Sequence, residues 1–503
     1  MKPLVALLPT LILILTSGCQ TLYVSPADTL TPTPPPATTS TPDLPPTTTP
    51  LPVTPTQTPV PSLEPVPSPM DVRSQYTLTA RLDYGWRTLS VEQDILIPNP
   101  SSDTISELVL VVQPNWRPGA FTLTALTWGD DTPINTYSLE GIRLQIILSD
   151  PFEPGETIHI SLSYEINIPP ILTSEAFGPN PFGYTARQIN LTDWYPFVPP
   201  YISGSGWLVH NPWYYGEYLV YPAADFDISL QLDNAPPGTV IAASARDTGE
   251  GSLHRYHLEQ GRNFVLSLSP EYKVLQEQVG ETTVLGYAFP YESAPAEAAF
   301  KTTYEALELY SRLFGPYPFD TLTLVQADFD HGMEYTGLYF LSKAFYSIYD
   351  GTPSTYLVAI AAHETAHQWW YGLVGNDQAL EPWLDEALCT YSEKLFYENL
   401  YPKSLAWWQY ARLDYYESTG WVDSSIYDTP GYRPYRDAVY LNGAVFLDEL
   451  RALIGDQAFF AFLPDYISRY TALLASADDF FGILSEHTSA DWGHLLAEYF
   501  QSR

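Results

Sequence analysis

The sequence predicts two unlike domains in series. An all-β, antiparallel domain spans residues 71–277, and an α+β, mostly helical domain spans 278–503. Three observations carry this reading. At 503 residues the chain exceeds what one ordinary core serves. From 71 to 277, short runs rich in β-branched and apolar residues are separated by turn clusters. Near 290 the apolar period lengthens from that of a strand to that of a helix.

The elements follow in chain order. After Met1 and Lys2 comes an apolar run, "PLVALLPTLILIL", and then "TSGC". A charged start, a short apolar core and small residues before a cleavage point form a secretory signal over 1–18, too short for a membrane span. The stretch resembles a bacterial lipoprotein signal, with Thr16 where that class usually has leucine. The resemblance implies that Cys19 becomes the lipidated N-terminus of an extracytoplasmic, membrane-anchored protein, at the cell surface or in the periplasm. Residues 21–70 hold 16 prolines and 13 threonines and no lysine or arginine. Such a segment buries no core and reads as a semi-rigid spacer, so 19–70 is expected to be anchor and linker.

In the β region, "YTLTARLDY", "TLSVEQDILIP", "ELVLVVQP", "IRLQIILSD", "ETIHISLSYEINIP", "FDISLQLD" and "NFVLSLSP" read as strands, with "PNPSSD" and "PFEPGE" as turns. His254 and His257, three apart on a strand, point to opposite faces and are expected to be structural. Beyond 290, "APAEAAFKTTYEALELYSRLF" has helical spacing, "TLTLVQADF" reads as a strand, and "STYLVAIAAHETAHQWWYGLVG" reads as a helix closed by Gly375. "PWLDEALCTYSEKLFYENL" follows as a helix with Pro382 at its start, and the remainder is mostly helical.

Charge narrows the possible partners. With 22 basic against 58 acidic residues the formal net charge is −36, which argues against a nucleic-acid surface. The two cysteines, Cys19 and Cys389, exclude a disulfide framework, and Cys389 reads as a small buried apolar residue.

The chemistry lies in "AAHETAHQWW". His363 and His367, four apart, project from one helix face, and Glu364 follows the first. A hydrolytic zinc site takes three protein ligands and leaves one position open. The third ligand is expected at Glu386 in "WLDEAL", with 386 − 367 = 19: room for a helix end, a loop and the start of a second helix. Glu364 is then placed as the base beside one zinc per chain.

"HETAH" and a glutamate after 18 intervening residues resemble the gluzincin aminopeptidases, the family of aminopeptidase N and leukotriene hydrolase. A second block, "HGMEYTGLYF", is similar to that family's G-x-M-E-N segment and lies 363 − 334 = 29 residues before the motif. His331 replaces its first glycine and Tyr335 its asparagine. A third, "DAVYLNGAVFLDEL", is similar to the family's Y-x-x-G helix start.

The resemblance implies a thermolysin-like catalytic domain and activity on peptides with a free N-terminus. It places Glu334 on the substrate's α-amine, in an edge strand, with Gly332 and Met333 lining the cleft. It gives Tyr440 to the tetrahedral intermediate, Tyr435 to the active site as a second tyrosine, and Gln188 in "TARQIN" to a second amine contact. Members commonly carry a further C-terminal helical domain, whereas this sequence stops after "HLLAEYFQSR", which implies a more open cleft. Two rivals stand beside this reading: a zinc endopeptidase of the same fold, and a catalytically dead surface lipoprotein that binds through aromatic stretches such as "NPWYYGEYLVYP".

Overall fold

The computed structural model describes residues 72–171, 181–416 and 418–503. Cys19, the signal and the whole spacer lie outside the described residues. The β-domain is built on a six-stranded sheet. Its order is Leu253–Gly261, Ala224–Asp233, Ser74–Asp83, Thr88–Pro98, Thr157–Asn167 and Phe121–Trp128. Alternation decides its faces: Tyr76, Leu78, Ala80 and Leu82 are buried, and Gln75, Thr77, Thr79 and Arg81 between them are exposed. A three-stranded sheet (Ile105–Val111, Arg143–Phe152, Tyr137–Glu140), a four-stranded one and a two-stranded one (Tyr201–Ile202, Gly206–Trp207) complete the domain.

One pair departs from the expected antiparallel arrangement. Ser74–Asp83 runs parallel to Ala224–Asp233, with Leu78 opposite Ile228. A parallel pair needs a long crossover, and the intervening strands supply it. His254 and His257 lie on opposite faces of their strand. Asp247 pairs with the first, and Asp227 and Glu259 with the second.

The second domain's sheet has the order Lys273–Val279, Thr282–Ala288, Thr321–Gln326, Leu338–Leu341, Met333–Tyr335. Its first strand crosses residue 277, so the hairpin at 273–288 belongs to this sheet. Met333–Tyr335 is the edge strand, antiparallel to Leu338–Leu341. The turn between them is held by Gly337, at φ +72°, where a Cβ would lie 2.2 Å from the Ser244 carbonyl oxygen. A side chain there is excluded twice, by conformation and by contact.

The motif helix, Tyr356–Ala366, is buried nearly all round and packs against both Ser293–Leu313 and the helix Trp383–Leu400. It ends nine residues before the expected stop. After His367 the chain opens into wider turns, with Gly372, Leu373 and Val374 donating to the carbonyls of His367, Gln368 and Trp369, and with Tyr371 at φ +120°. Gly375 is not a helix cap. Its missing side chain makes room for the Arg262 guanidinium, which a Cβ would approach to 2.5 Å.

Candidate metal centre and amine pocket

The motif helix and the helix Trp383–Leu400 bring three buried donors together. His363 Nε2 lies 3.1 Å, and His367 Nε2 3.6 Å, from the same Glu386 oxygen, Oε2. The opposite ring nitrogens are engaged elsewhere. His363 Nδ1 is 3.0 Å from Glu393 Oε1, and His367 Nδ1 is 3.1 Å from the Trp370 carbonyl. In neutral rings those contacts fix the tautomer, so both Nε2 lone pairs face the carboxylate. Two lone pairs and an ionised oxygen require a cation among them.

The electrostatics express the same demand. Burial opposes a charge on His363, yet Glu386 and Glu393 raise its pKa to about 10, while burial pushes His367 down to about 4. Two donors bound at ~2.0–2.1 Å to one tetrahedral zinc stand roughly 3.3 Å apart, so the residues fit the ion.

Glu393 is itself anchored. Arg412 grips it with two bonds of 2.8 and 2.7 Å, and Trp408 Nε1 donates at 2.8 Å. Burial favours the neutral acid here, but Arg412 and His363 hold the carboxyl below its ordinary range. Arg412 sits on a π-helical turn, Gln409–Leu413. Cys389 also lies near both histidines, one turn beyond Glu386. Burial keeps it a thiol, and it packs as an apolar residue, as expected.

Glu364 is buried, and its Oε2 has no hydrogen-bond partner among the described residues. Burial pushes it up to about 8. Gly332 packs close to it: a Cβ there would lie 3.0 Å from Glu364 Oε1 and from the Phe340 carbonyl, so a side chain would make its neighbours give way. Tyr440 lies on a second π-helical turn, Asp437–Asn442, and donates to Glu386 Oε1 at 2.5 Å. Its ring is parallel to that of His363 at 6.0 Å.

Glu334 and Gly332 line a cleft of about 300 Å³ together with Met333, Glu364, both histidines, Glu386 and Tyr440. The cleft also holds Glu217, which the sequence reading missed. Carboxylate oxygens of Glu217, Glu334 and Glu386 lie within 4.8 Å of one another, and Glu217 Oε2 has no partner among the described residues. Burial, then the neighbouring carboxylates, raise Glu217 and Glu334 well above the ordinary range. The available signal was a lone acid inside the aromatic run "NPWYYGEYLVYP".

Two expectations are corrected. Gln188 does not reach the cleft. Its amide nitrogen donates to Tyr272 and to the Gln326 carbonyl, and its oxygen accepts from Asp328 N–H, so it ties the β-domain to the catalytic sheet. Tyr435 does not line the cleft either. It is fully buried, packs on Tyr440 at 5.7 Å between ring centres, and backs that residue from behind.

Comparisons agree with this arrangement. Residues 298–499 match the model of the peptidase family M1 domain. Aminopeptidase N of Lactobacillus delbrueckii subsp. lactis is 26% identical over 295 residues, 54% of this chain and 35% of that protein. Aminopeptidase M1-D of rice, Oryza sativa subsp. japonica, is 28% identical over 211 residues, 39% of this chain and 24% of that protein. The matched stretches thus span about a third or less of these relatives' own lengths. The crystal structure of an M1 zinc metallopeptidase from Deinococcus radiodurans superposes with a TM-score of 0.62 at 19% identity, covering 86% of this chain and 94% of that one. It shares the two-domain fold.

Proposed function

We infer, for a chain that belongs to the gluzincin family of zinc peptidases typified by aminopeptidase N, that it removes residues one at a time from the free N-terminus of peptides. The observation that carries this reading is the placement of buried Glu334 and half-buried Glu217 as carboxylates beside the metal donors. Two acids lining one cleft call for a cation there, and a peptide's α-ammonium supplies it. An endopeptidase would leave both without a cation.

His363, His367 and Glu386 would hold zinc, whose Lewis acidity polarises the scissile carbonyl and acidifies water. Glu364 accepts the water's proton and passes it to the leaving amine. Tyr440 donates its hydroxyl hydrogen to the oxyanion as it develops. Glu334 and Glu217 hold the ammonium, which sets the first peptide bond over the donors. Lipid attachment at Cys19, outside the cytoplasm, completes the proposal and rests on "TSGC" and the spacer behind it.

The test pairs each peptide with its N-acetylated copy. A charge-assisted ammonium–carboxylate contact is about twice as strong as a neutral hydrogen bond, so free peptides should be shortened stepwise and acetylated ones left nearly intact. Glu364→Gln serves as the inactive, zinc-loaded control. Equal cleavage of both members of each pair would assign the protein to the endopeptidases.

A further inference from the structure

Between the motif helix and the helix that carries Glu386 runs the loop 376–382, and within it Gln378 is 3% exposed. Its side-chain nitrogen carries two hydrogens and both are directed at carboxylates: Glu334 Oε1 at 3.1 Å and Asp385 Oδ2 at 2.9 Å. Asp385, also fully buried, accepts the backbone N–H of Glu386 on its other oxygen at 2.7 Å. A single neutral amide therefore spans from the edge strand to the first turn of the metal-ligand helix.

We propose that Gln378 is a positioning residue that fixes the amine-binding carboxylate of Glu334 relative to the metal donors. The proposal rests on the reading of Glu334 given above. By occupying Oε1, Gln378 leaves the other oxygen of Glu334 for the substrate ammonium and sets its direction. By standing between Glu334 and Asp385 it gives each buried acid a side-chain donor and keeps the two carboxylates from facing one another directly.

The loop gives Gln378 little freedom. Its neighbour Asp377 is bonded to His210 of the β-domain at 2.8 Å and caps the backbone of Ala379 and Leu380 at 3.1 Å. Asn376 donates across the loop to the Glu381 carbonyl at 3.1 Å. The distance from the amine anchor to the reacting bond is thus set by a braced loop, and the strand that bears Glu334 does not set it alone.

The experiment compares two hydroxamate inhibitors on the zinc-loaded full-length protein, an α-amino acyl hydroxamate and its des-amino analogue. Gln378→Met keeps the volume and removes both donors. Gln378→Asn keeps the amide but is one methylene short of spanning both acids, and it serves if the first variant fails to fold. A hydrogen bond to a charged group is lost, so the amino inhibitor should bind roughly tenfold to a hundredfold more weakly, and KM for an aminoacyl anilide should rise similarly. Affinity for the des-amino inhibitor and zinc content should stay within about threefold of wild type, because Gln378 touches none of the metal donors. Equal weakening of both inhibitors, or of neither, overturns the proposal. If wild type itself does not distinguish the two inhibitors, the failure lies with the aminopeptidase reading.

Discussion

Tyr440 touches Glu386, the proposed third metal ligand, so its hydroxyl has two separable roles. Through its 2.5 Å bond to Glu386 Oε1 it could hold the ligand in place, and by turning toward the cleft it can meet a developing oxyanion. Tyr440→Phe keeps the ring that stacks on His363 and removes only the hydroxyl. Loss of one oxyanion donor costs about 10²–10³ in kcat, and we expect kcat and kcat/KM to fall together with zinc still stoichiometric. A normal kcat with weakened zinc retention would leave only the ligand-holding role. At this scale the sequence was legible where spacing within one helix, or between two adjacent ones, carried the information. His363, His367 and Glu386 converge for that reason. Glu217 was not legible, because it reaches the site from the other domain and no local pattern marks it. Gln188 was misplaced by likeness of residue type alone, since its amide is wholly consumed by Tyr272, Gln326 and Asp328.

The elements that bear these residues depart from regular geometry where the chemistry lies. Arg412 and Tyr440 both sit on π-helical turns, a form that recurs at functional sites. The motif helix gives way to wide turns at its second histidine, which lets His367 Nδ1 reach the Trp370 carbonyl. Apolar periodicity averages over whole turns and does not report such local widening. Strands were clearer: alternation over 74–83 gave that element its faces, although not its parallel partner across some 140 residues of chain. The π-turn at 409–413 has a measurable role. Arg412→Met would leave Glu393 buried with its charge uncompensated, and removing one partner of such a pair destabilises by about 3–5 kcal/mol. We expect that loss in urea denaturation of the zinc-loaded protein, with zinc affinity lowered as His363 loses its brace. A change below about 1 kcal/mol would contradict the argument, being the size expected of an exposed pair.

At the scale of the whole molecule, the proposed anchor makes a location experiment decisive. Wild type should partition with membranes, since two acyl chains bind far more firmly than one, and Cys19→Ser should release an active soluble enzyme. A wild type already soluble, with a mature end other than Cys19, would defeat the anchor. What holds the two domains to each other is different in kind. Arg262, from the β-domain, is buried, and its guanidinium donates to the carbonyls of Tyr221, Tyr371, Leu373 and Leu473 at 2.6–3.1 Å. It reaches them over the bare backbone of Gly375. One cation therefore staples its own domain to the turn behind His367 and to a loop near the C-terminal helices. The consequence concerns exchange between relatives. A chimera that joined this catalytic half to another β-domain would inherit three inward-facing carbonyls, those of Tyr371, Leu373 and Leu473, and each would lose a donor unless that domain brought an arginine to the same spot. The two halves form an inseparable inheritance, and substitutions at 262 and 375 are expected to be tolerated only as a pair.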